Sequence, residues 1–128
     1  MPVVPEPTVR HFAFFHPRER SIVAATTMDA GREEIVGVAD VSHLDTGLGE
    51  LGLVVQDASQ GAGVGRLLTE VIASLAMQHG ALHLRAELLD GNRAMLALMR
   101  RLGPTTSSME GSVMVLHTRL PVARRRAA

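Results

Sequence analysis

Glycines at alternate positions follow an apolar stretch in the middle of the chain, a spacing that could hold a phosphate-bearing ligand. The apolar stretch covers residues 48–56, and after a short polar loop the chain reads Gln60, Gly61, Ala62, Gly63, Val64, Gly65 and Arg66. Glycine has no side chain to keep a ligand away from the main-chain N–H groups. The amphipathic run from Gly65 onward predicts a helix, whose N-terminal end attracts anions. The pattern therefore predicts a strand, a glycine turn and a helix around a phosphate group.

The spacing of these glycines excludes two common nucleotide-binding loops. The dinucleotide-binding fingerprint needs glycine at its first, third and sixth positions, and the sixth position counted from Gly61 is Arg66. The phosphate loop of ATPases and GTPases needs a lysine, and all 13 basic residues of this chain are arginines. The remaining possibility is a ligand of another kind that carries a diphosphate.

Apolar periodicity predicts the elements that position the glycine turn. Strands show alternation between turn signals, and helices show apolar residues three and four positions apart. A glycine after the last periodic residue ends the first helix, and a polar residue at the start caps the second. In chain order we predict strands at 21–28, 34–41 and 48–56, a helix at 65–80, a strand at 82–89, a helix at 92–102 and a strand at 112–118.

Residues 60–65 resemble the glutamine- or arginine-led pyrophosphate loop of the GNAT superfamily of acetyl-CoA-dependent N-acetyltransferases. Residues 92–103 are similar to the asparagine-led helix of that family, and the resemblance covers roughly residues 21–118. It is strongest to the acetyltransferase domain of bacterial protein-lysine acetylases. The resemblance implies an α/β (α+β) fold with a mixed, mostly antiparallel sheet and two main helices. The strand and helices that the family places before the hairpin are expected to be shortened.

Length and composition predict a single globular domain. The chain has 128 residues, and we expect a lead-in over 1–20, an acetyltransferase domain over 21–120 and a basic tail over 121–128. The net charge is zero, aromatic residues make up 2%, and no apolar run approaches the ~20 residues that span a bilayer. We therefore expect no nucleic-acid partner, no membrane partner and a cytoplasmic location. Without cysteine, disulfides and a thiol nucleophile are excluded.

The resemblance implies which residues hold the diphosphate of acetyl-CoA. Main-chain amides of residues 61–66 would wrap the pyrophosphate after Gln60. Asn92 would cap its own helix and also touch the cofactor. The Arg66 side chain has two interpretations, either an additional charge for the diphosphate or an ordinary helix-surface residue.

The resemblance also assigns the chemistry of the strand that precedes the glycines. The pantetheine arm would lie along Leu53, Val54 and Val55, and the Val54 N–H would stabilise the oxyanion that forms on the thioester carbonyl. An alkylamine is neutral only about one part in a thousand near neutral pH, so the reaction gains from a general base. Glu50 at the head of the strand is the predicted base, with Glu87 on the next strand in reserve.

Two classes of function remain open on these residues. One is an acetyltransferase that lets a protein lysine or a small amine attack the thioester directly; the other is a catalytically weak or inactive CoA-binding regulatory module. Met99 stands where many family members carry a tyrosine as general acid, and methionine cannot donate a proton. Asp40 is assigned to a turn. No spacing among histidines and carboxylates indicates a metal site, and exposed strand edges are compatible with a homodimer.

Overall fold

One mixed sheet and two helices make up the described part of the chain. The computed structural model describes residues 8–13, 20–44, 47–56, 63–88 and 93–121. In chain order the elements are β1 (Thr8–Ala13), β2 (Arg20–Asp29), β3 (Arg32–His43), β4 (Leu48–Val55), α1 (Val64–Gln78), β5 (His83–Leu88), α2 (Arg93–Leu102), β6 (Thr105–Glu110) and β7 (Val113–Arg119). The predictions for Gln60, Gly61, Ala62, Asn92 and the tail beyond residue 121 lie outside the described residues.

The strands form a single seven-stranded sheet in the order β1-β2-β3-β4-β5-β7-β6. Neighbouring strands are antiparallel except for β4 and β5, which are parallel. A parallel pair needs a long crossover, and α1 supplies it. The predicted mixed, mostly antiparallel sheet with two main helices is confirmed.

The predicted hairpin is formed by β2 and β3 around a two-residue turn. Asp29 pairs with Arg32, and the two residues between them, Ala30 and Gly31, have φ angles of 50° and 78°. Positive φ at both central positions is typical of a type I′ turn, whose twist matches that of the flanking strands. The turn thereby sets the register that brings the far end of β3 beside β4.

Two edge strands are present that the sequence pattern does not indicate. β1 lies within the expected lead-in and pairs antiparallel with β2. β6 pairs antiparallel with β7, and five of its six residues are exposed. An exposed edge strand needs no apolar alternation, so the sequence of β6 carries little strand signal.

Both helices pack on the same face of the sheet and bury one continuous core. Leu68 and Ile72 of α1 and Met99 of α2 are fully buried. Each such side chain contributes about 1.5–3 kcal/mol by leaving water. Within the described ranges, no helix is long and apolar enough to cross a membrane.

Candidate active site

β4 and β5 start side by side and then separate. Their paired residues are Leu48 with His83, Gly49 with Leu84, and Glu50 with Arg85. Beyond that last pair each strand continues, but no further pair joins them. We call the gap between residues 51–55 of β4 and residues 86–88 of β5 the strand fork. An extended ligand could enter it and pair with β4 as an additional strand.

Hydrogen bonds at the two ends of β4 determine which way its main chain faces. The Gln56 N–H donates to the Val36 carbonyl of β3 at 2.8 Å, so even-numbered positions face β3. The Leu82 N–H donates to the Gly47 carbonyl at 2.6 Å, so odd-numbered positions face the β5 side. This alternation persists along β4 because its register with β3 has no bulge.

The alternation directs the main chain of Leu53 into the strand fork and that of Val54 towards β3. Val54 is opposite Val38 of β3 in the register, and its side chain is 72% exposed on the face of the sheet away from the helices. This direction corrects the prediction that the Val54 N–H reaches a ligand in the fork. A family pattern indicates the segment, but only the strand register shows which residues face the open edge. Val55 lies on the same edge as Leu53.

The N-terminus of α1 lies at the end of β4 and has no side-chain cap. Gly63 is the N-cap, with φ 82° in the left-handed region, and a Cβ at this position would meet nothing within 4 Å. The helical bonds begin with the Leu67 N–H donating to the Gly63 carbonyl at 3.0 Å. The amides of Val64, Gly65 and Arg66 therefore precede the first helical bond, and no acidic residue lies in this turn. This helix end has the charge and the room to receive an anion.

Gly65 brings this helix end close to the strand fork and to α2. A Cβ on Gly65 would lie 3.1 Å from Leu98 of α2 and 3.8 Å from the Leu53 side chain. The missing side chain thus serves helix packing as well as access to the main chain. The Arg66 guanidinium pairs with Glu70 at 3.1 Å, an exposed pair one turn away on the same helix. Such pairs contribute about 0.3–0.5 kcal/mol, as expected of a helix-surface residue.

Glu50 lies at the mouth of the strand fork and pairs with an arginine. Its Oε1 is 2.8 Å from Nη1 of Arg85, the residue beside it in the last β4–β5 pair. The Glu50 side chain is 40% exposed and that of Arg85 only 17%. Both side chains are on the open face, by which we mean the sheet face away from the helices, including Glu50, Gly52, Val54, Arg85 and Glu87.

Arg85 also binds two further carboxylates. Its Nη2 lies 2.6 Å from Glu110 at the end of β6, and its Nη1 lies 3.4 Å from Glu87, the predicted reserve base. The pKa of Arg85 is raised, chiefly by the hydrogen bond to Glu110. One guanidinium therefore joins three glutamates from three strands, and the group carries a net negative charge. We call these four residues the Arg85 cluster.

Sequence reasoning missed Arg85 and Glu110. Arg85 lies between His83 and Glu87 in an alternating polar pattern on β5, so a period-two reading could have placed it on the same face as Glu87. Glu110 belongs to β6, a strand that was not predicted, and nothing in its sequence indicated that it approaches β5.

Asp40 is a second charged residue of the open face and does not lie in a turn. It belongs to β3, opposite Gly52 of β4, and a Cβ on Gly52 would overlap its Oδ1. Arg20 of β2 binds its Oδ2, with Nη2 at 2.6 Å. Gly52 therefore makes room for a carboxylate, and the turn assignment of Asp40 was wrong because acidic residues favour turns only on average.

Met99 lies in the core beside β7. It is fully buried, and its carbonyl accepts a hydrogen bond from the Thr118 hydroxyl of β7 at 3.5 Å. Among the residues that the structure describes, no group of three or more histidine, aspartate or glutamate side chains is placed to hold a metal ion.

A histidine pair marks the opposite end of α1. The rings of His43 and His79 stack with centroids 4.5 Å apart, and His43 Nε2 is hydrogen-bonded to the Ser21 hydroxyl at 3.1 Å. The His79 Nδ1–H donates to the Leu75 carbonyl at 2.9 Å. Burial, and then the neighbouring His79, lower the pKa of His43. This end of the helix is about 20 Å from the N-cap Gly63, as the length of α1 requires.

The chain is similar to a known protein family and to several solved structures. The sequence model of the acetyltransferase (GNAT) family matches residues 2–103. Among solved structures, the GNAT domain of PAT from S. lividans superposes with a TM-score of 0.69 at 28% identity, covering 85% of this chain and 65% of that domain.

Two further structures share the fold. A cAMP-binding acyltransferase from Mycobacterium smegmatis has a TM-score of 0.67 at 24% identity, covering 87% of this chain and 34% of that protein. A protein from Salmonella typhimurium, solved with its cofactor acetyl-CoA, has a TM-score of 0.63 at 19% identity, covering 84% of this chain and 68% of the other. The chain thus spans less than two thirds of the S. lividans domain and about a third of the mycobacterial protein.

Proposed function

The chain belongs to the acetyltransferase (GNAT) family, and we propose that it transfers the acetyl group of acetyl-CoA to a primary amine, on a protein lysine or a small molecule. One observation carries this proposal. The strand fork and the uncapped start of α1 adjoin, since a Cβ on Gly65 would lie 3.8 Å from the Leu53 side chain. A single ligand with an extended arm and a diphosphate could therefore use both.

We propose that main-chain groups hold the cofactor. The amides of Val64, Gly65 and Arg66 would receive the diphosphate at the helix N-terminus, together with the preceding residues Gln60, Gly61 and Ala62. Gly63 keeps the approach clear, and Asn92, which precedes Arg93 in the sequence, would add a polar contact. When bound, acetyl-CoA supplies the activated acetyl group.

Leu53 replaces Val54 in the proposed contact with the thioester. Its N–H faces the strand fork, where it could stabilise negative charge on the carbonyl oxygen, and Val55 on the same edge would lie along the pantetheine. Val54 would still lie beside the acetyl group through its exposed side chain.

Glu50 is the proposed general base. It lies at the mouth of the fork on the open face, and with 40% of its side chain exposed it can meet an incoming amine. The amine nitrogen would bond to the acetyl carbon, the carbon–sulfur bond would break, and the proton of the amine would pass to Glu50 directly or through water. The thiolate would take its proton from water, because the buried Met99 offers none.

A CoA-binding module without turnover is the second candidate. Two observations favour it: the position of the usual acid holds a buried methionine, and the proposed base is already engaged by Arg85. A thiol has a pKa near 8.5, so its unassisted departure is still feasible, and for this reason we favour the enzyme.

We also propose that the protein works in the cytoplasm, and that it forms a homodimer. Support for the dimer comes from β6, an exposed strand at the edge of the sheet. Free strand edges pair readily with other chains. Light scattering of the purified chain tests this point.

Acetyl transfer to a panel of lysine peptides and small amines, by wild type and Glu50→Gln, tests the proposed function. Turnover by the wild type is expected, with a loss of roughly 100-fold or more in the variant, since that is the usual contribution of a general base. Acetyl-CoA affinity should be unchanged. Affinity without turnover in the wild type would support the binding module, and an active Glu50→Gln would contradict the assignment of the base.

A further inference from the structure

Arg85 lies at the point where the strand fork begins. It is the β5 partner of Glu50 in the last pair before β4 and β5 separate, and its side chain is largely buried, at 17% exposure. A guanidinium with so little water must be satisfied by the protein. Among the described residues its side-chain partners are three carboxylates, and one of them is the proposed base.

The two ends of the guanidinium have different partners. Nη1 holds Glu50 at 2.8 Å, with Glu87 more distant at 3.4 Å, while Nη2 holds Glu110 at 2.6 Å. Because the guanidinium is planar and rigid, fixing Nη2 also fixes the direction in which Nη1 donates. Glu110 is contributed by the β6–β7 hairpin, so this hairpin sets the orientation of a group at the fork.

We infer that Arg85 is a positioning residue for Glu50: held by Glu110, it keeps one carboxylate oxygen of Glu50 in place at the mouth of the fork and leaves the other for the amine. This inference rests on the proposed function. It also matters that Arg85 is shared among three glutamates. An arginine paired with Glu50 alone would direct its entire positive charge at the proposed base. Glu87 and Glu110 offset that charge.

Other charged and titratable groups surround Glu50 on the open face. Asp40 with its partner Arg20 lies on the β3 side, and His117 of β7 is opposite Arg85 in the register. The dependence of activity on pH would therefore reflect these groups as well as the Arg85 cluster. The test therefore compares variants of Arg85 and Glu110 with one another, since Asp40, Arg20 and His117 are common to all of them.

Arg85→Met, Arg85→Lys and Glu110→Gln form the test series, with Arg101→Met as a control for loss of an exposed arginine on α2. In Arg85→Met we expect kcat to fall about 10-fold, less than on loss of the base itself. The affinity for acetyl-CoA should stay within about 2-fold, because the cofactor groups on α1 are untouched. Arg85→Lys should recover part of the loss, since lysine keeps the charge but cannot hold both carboxylates in one plane.

A second readout does not depend on turnover. In the chain labelled with carbon-13 at the glutamate carboxyls, the Glu50 resonance is assigned by its absence from Glu50→Gln. We expect Arg85→Met and, to a smaller extent, Glu110→Gln to move this resonance, while Arg101→Met leaves it unchanged. Glu110→Gln also serves if Arg85→Met does not fold.

The outcomes separate the inference from the proposed function. Wild-type kcat in Arg85→Met, or a Glu50 resonance that neither variant moves, would overturn the positioning role even if acetyl transfer is confirmed. A wild type that acetylates no amine contradicts the proposed function, and the Glu50 resonance then decides the positioning role alone. A fall in kcat with a displaced Glu50 resonance supports both.

Discussion

The proposed cofactor side and the proposed acceptor side of the site are built from different parts of the chain. The cofactor side uses main-chain groups of β4 and the first turn of α1, which are separated by a short loop in sequence. The acceptor side uses side chains of Glu50, Arg85 and Glu110, which belong to three strands. Main-chain sites therefore leave a local sequence signature, whereas side-chain clusters depend on the whole sheet.

Substitution by proline tests the main-chain side most strongly. Leu53→Pro removes an N–H that faces the strand fork and leaves the β3–β4 ladder intact, so we expect kcat to fall about 100-fold to 1000-fold in a chain that still folds. Val54→Pro removes an N–H that faces β3 and should lower the melting temperature more. Circular dichroism and the acetyl-transfer assay on both variants separate these effects.

Wild-type turnover by Leu53→Pro would show that the fork does not supply the donor. Equal melting temperatures for the two proline variants would contradict the main-chain directions inferred for β4. Leu53→Ala is the control for the side chain, and we expect it to keep most of the activity because only the main chain is proposed to act.

The histidine pair, which lies at the other end of α1 from the proposed cofactor side, gives a smaller effect, on the pH dependence of stability. Since burial and His79 lower the pKa of His43 below its usual 6.5, the unfolded chain binds the proton more readily than the folded chain. This contribution to stability is complete above about pH 6.5 and is lost as the pH falls through the folded pKa. The melting temperature should therefore decrease in mild acid.

The variant His79→Gln shows whether the pair causes this decrease. It removes the like-charge neighbour of His43, so the decrease between about pH 7.5 and about pH 5.5 should be smaller than in wild type. Identical melting curves for the two proteins across this range would contradict a role for the pair. At pH 7.5 acetyl-CoA affinity should not change, because the pair is at the other end of α1.

Much of the fold could be predicted because local chemistry determines it. The hairpin around Ala30 and Gly31, the glycine-led start of α1 and the burial of Met95 and Met99 all follow from periodicity or turn chemistry. β6 was missed because an exposed edge strand carries no apolar alternation.

The site also has parts that local sequence predicts and parts that it does not. The glycine motif and the β4 strand were found from sequence, but the main-chain direction of Val54 depends on the register with β3. The ion pair of Glu50 joins residues 35 positions apart, and that of Glu110 with Arg85 joins residues 25 apart. Such partners are set by sheet order, which no local pattern encodes.

Calorimetric titration with acetyl-CoA of the wild type, Gly63→Glu and Gly80→Glu tests the central claim most directly. Gly63 and Gly80 lie just beyond the two ends of α1, both with positive φ and both with open space around a Cβ, so the two variants carry similar backbone strain. We predict a dissociation constant on the order of micromolar for the wild type and Gly80→Glu. Binding should be lost in Gly63→Glu, because the added carboxylate repels the diphosphate. No binding by the wild type, or equal binding by all three proteins, would contradict a cofactor site at the start of α1.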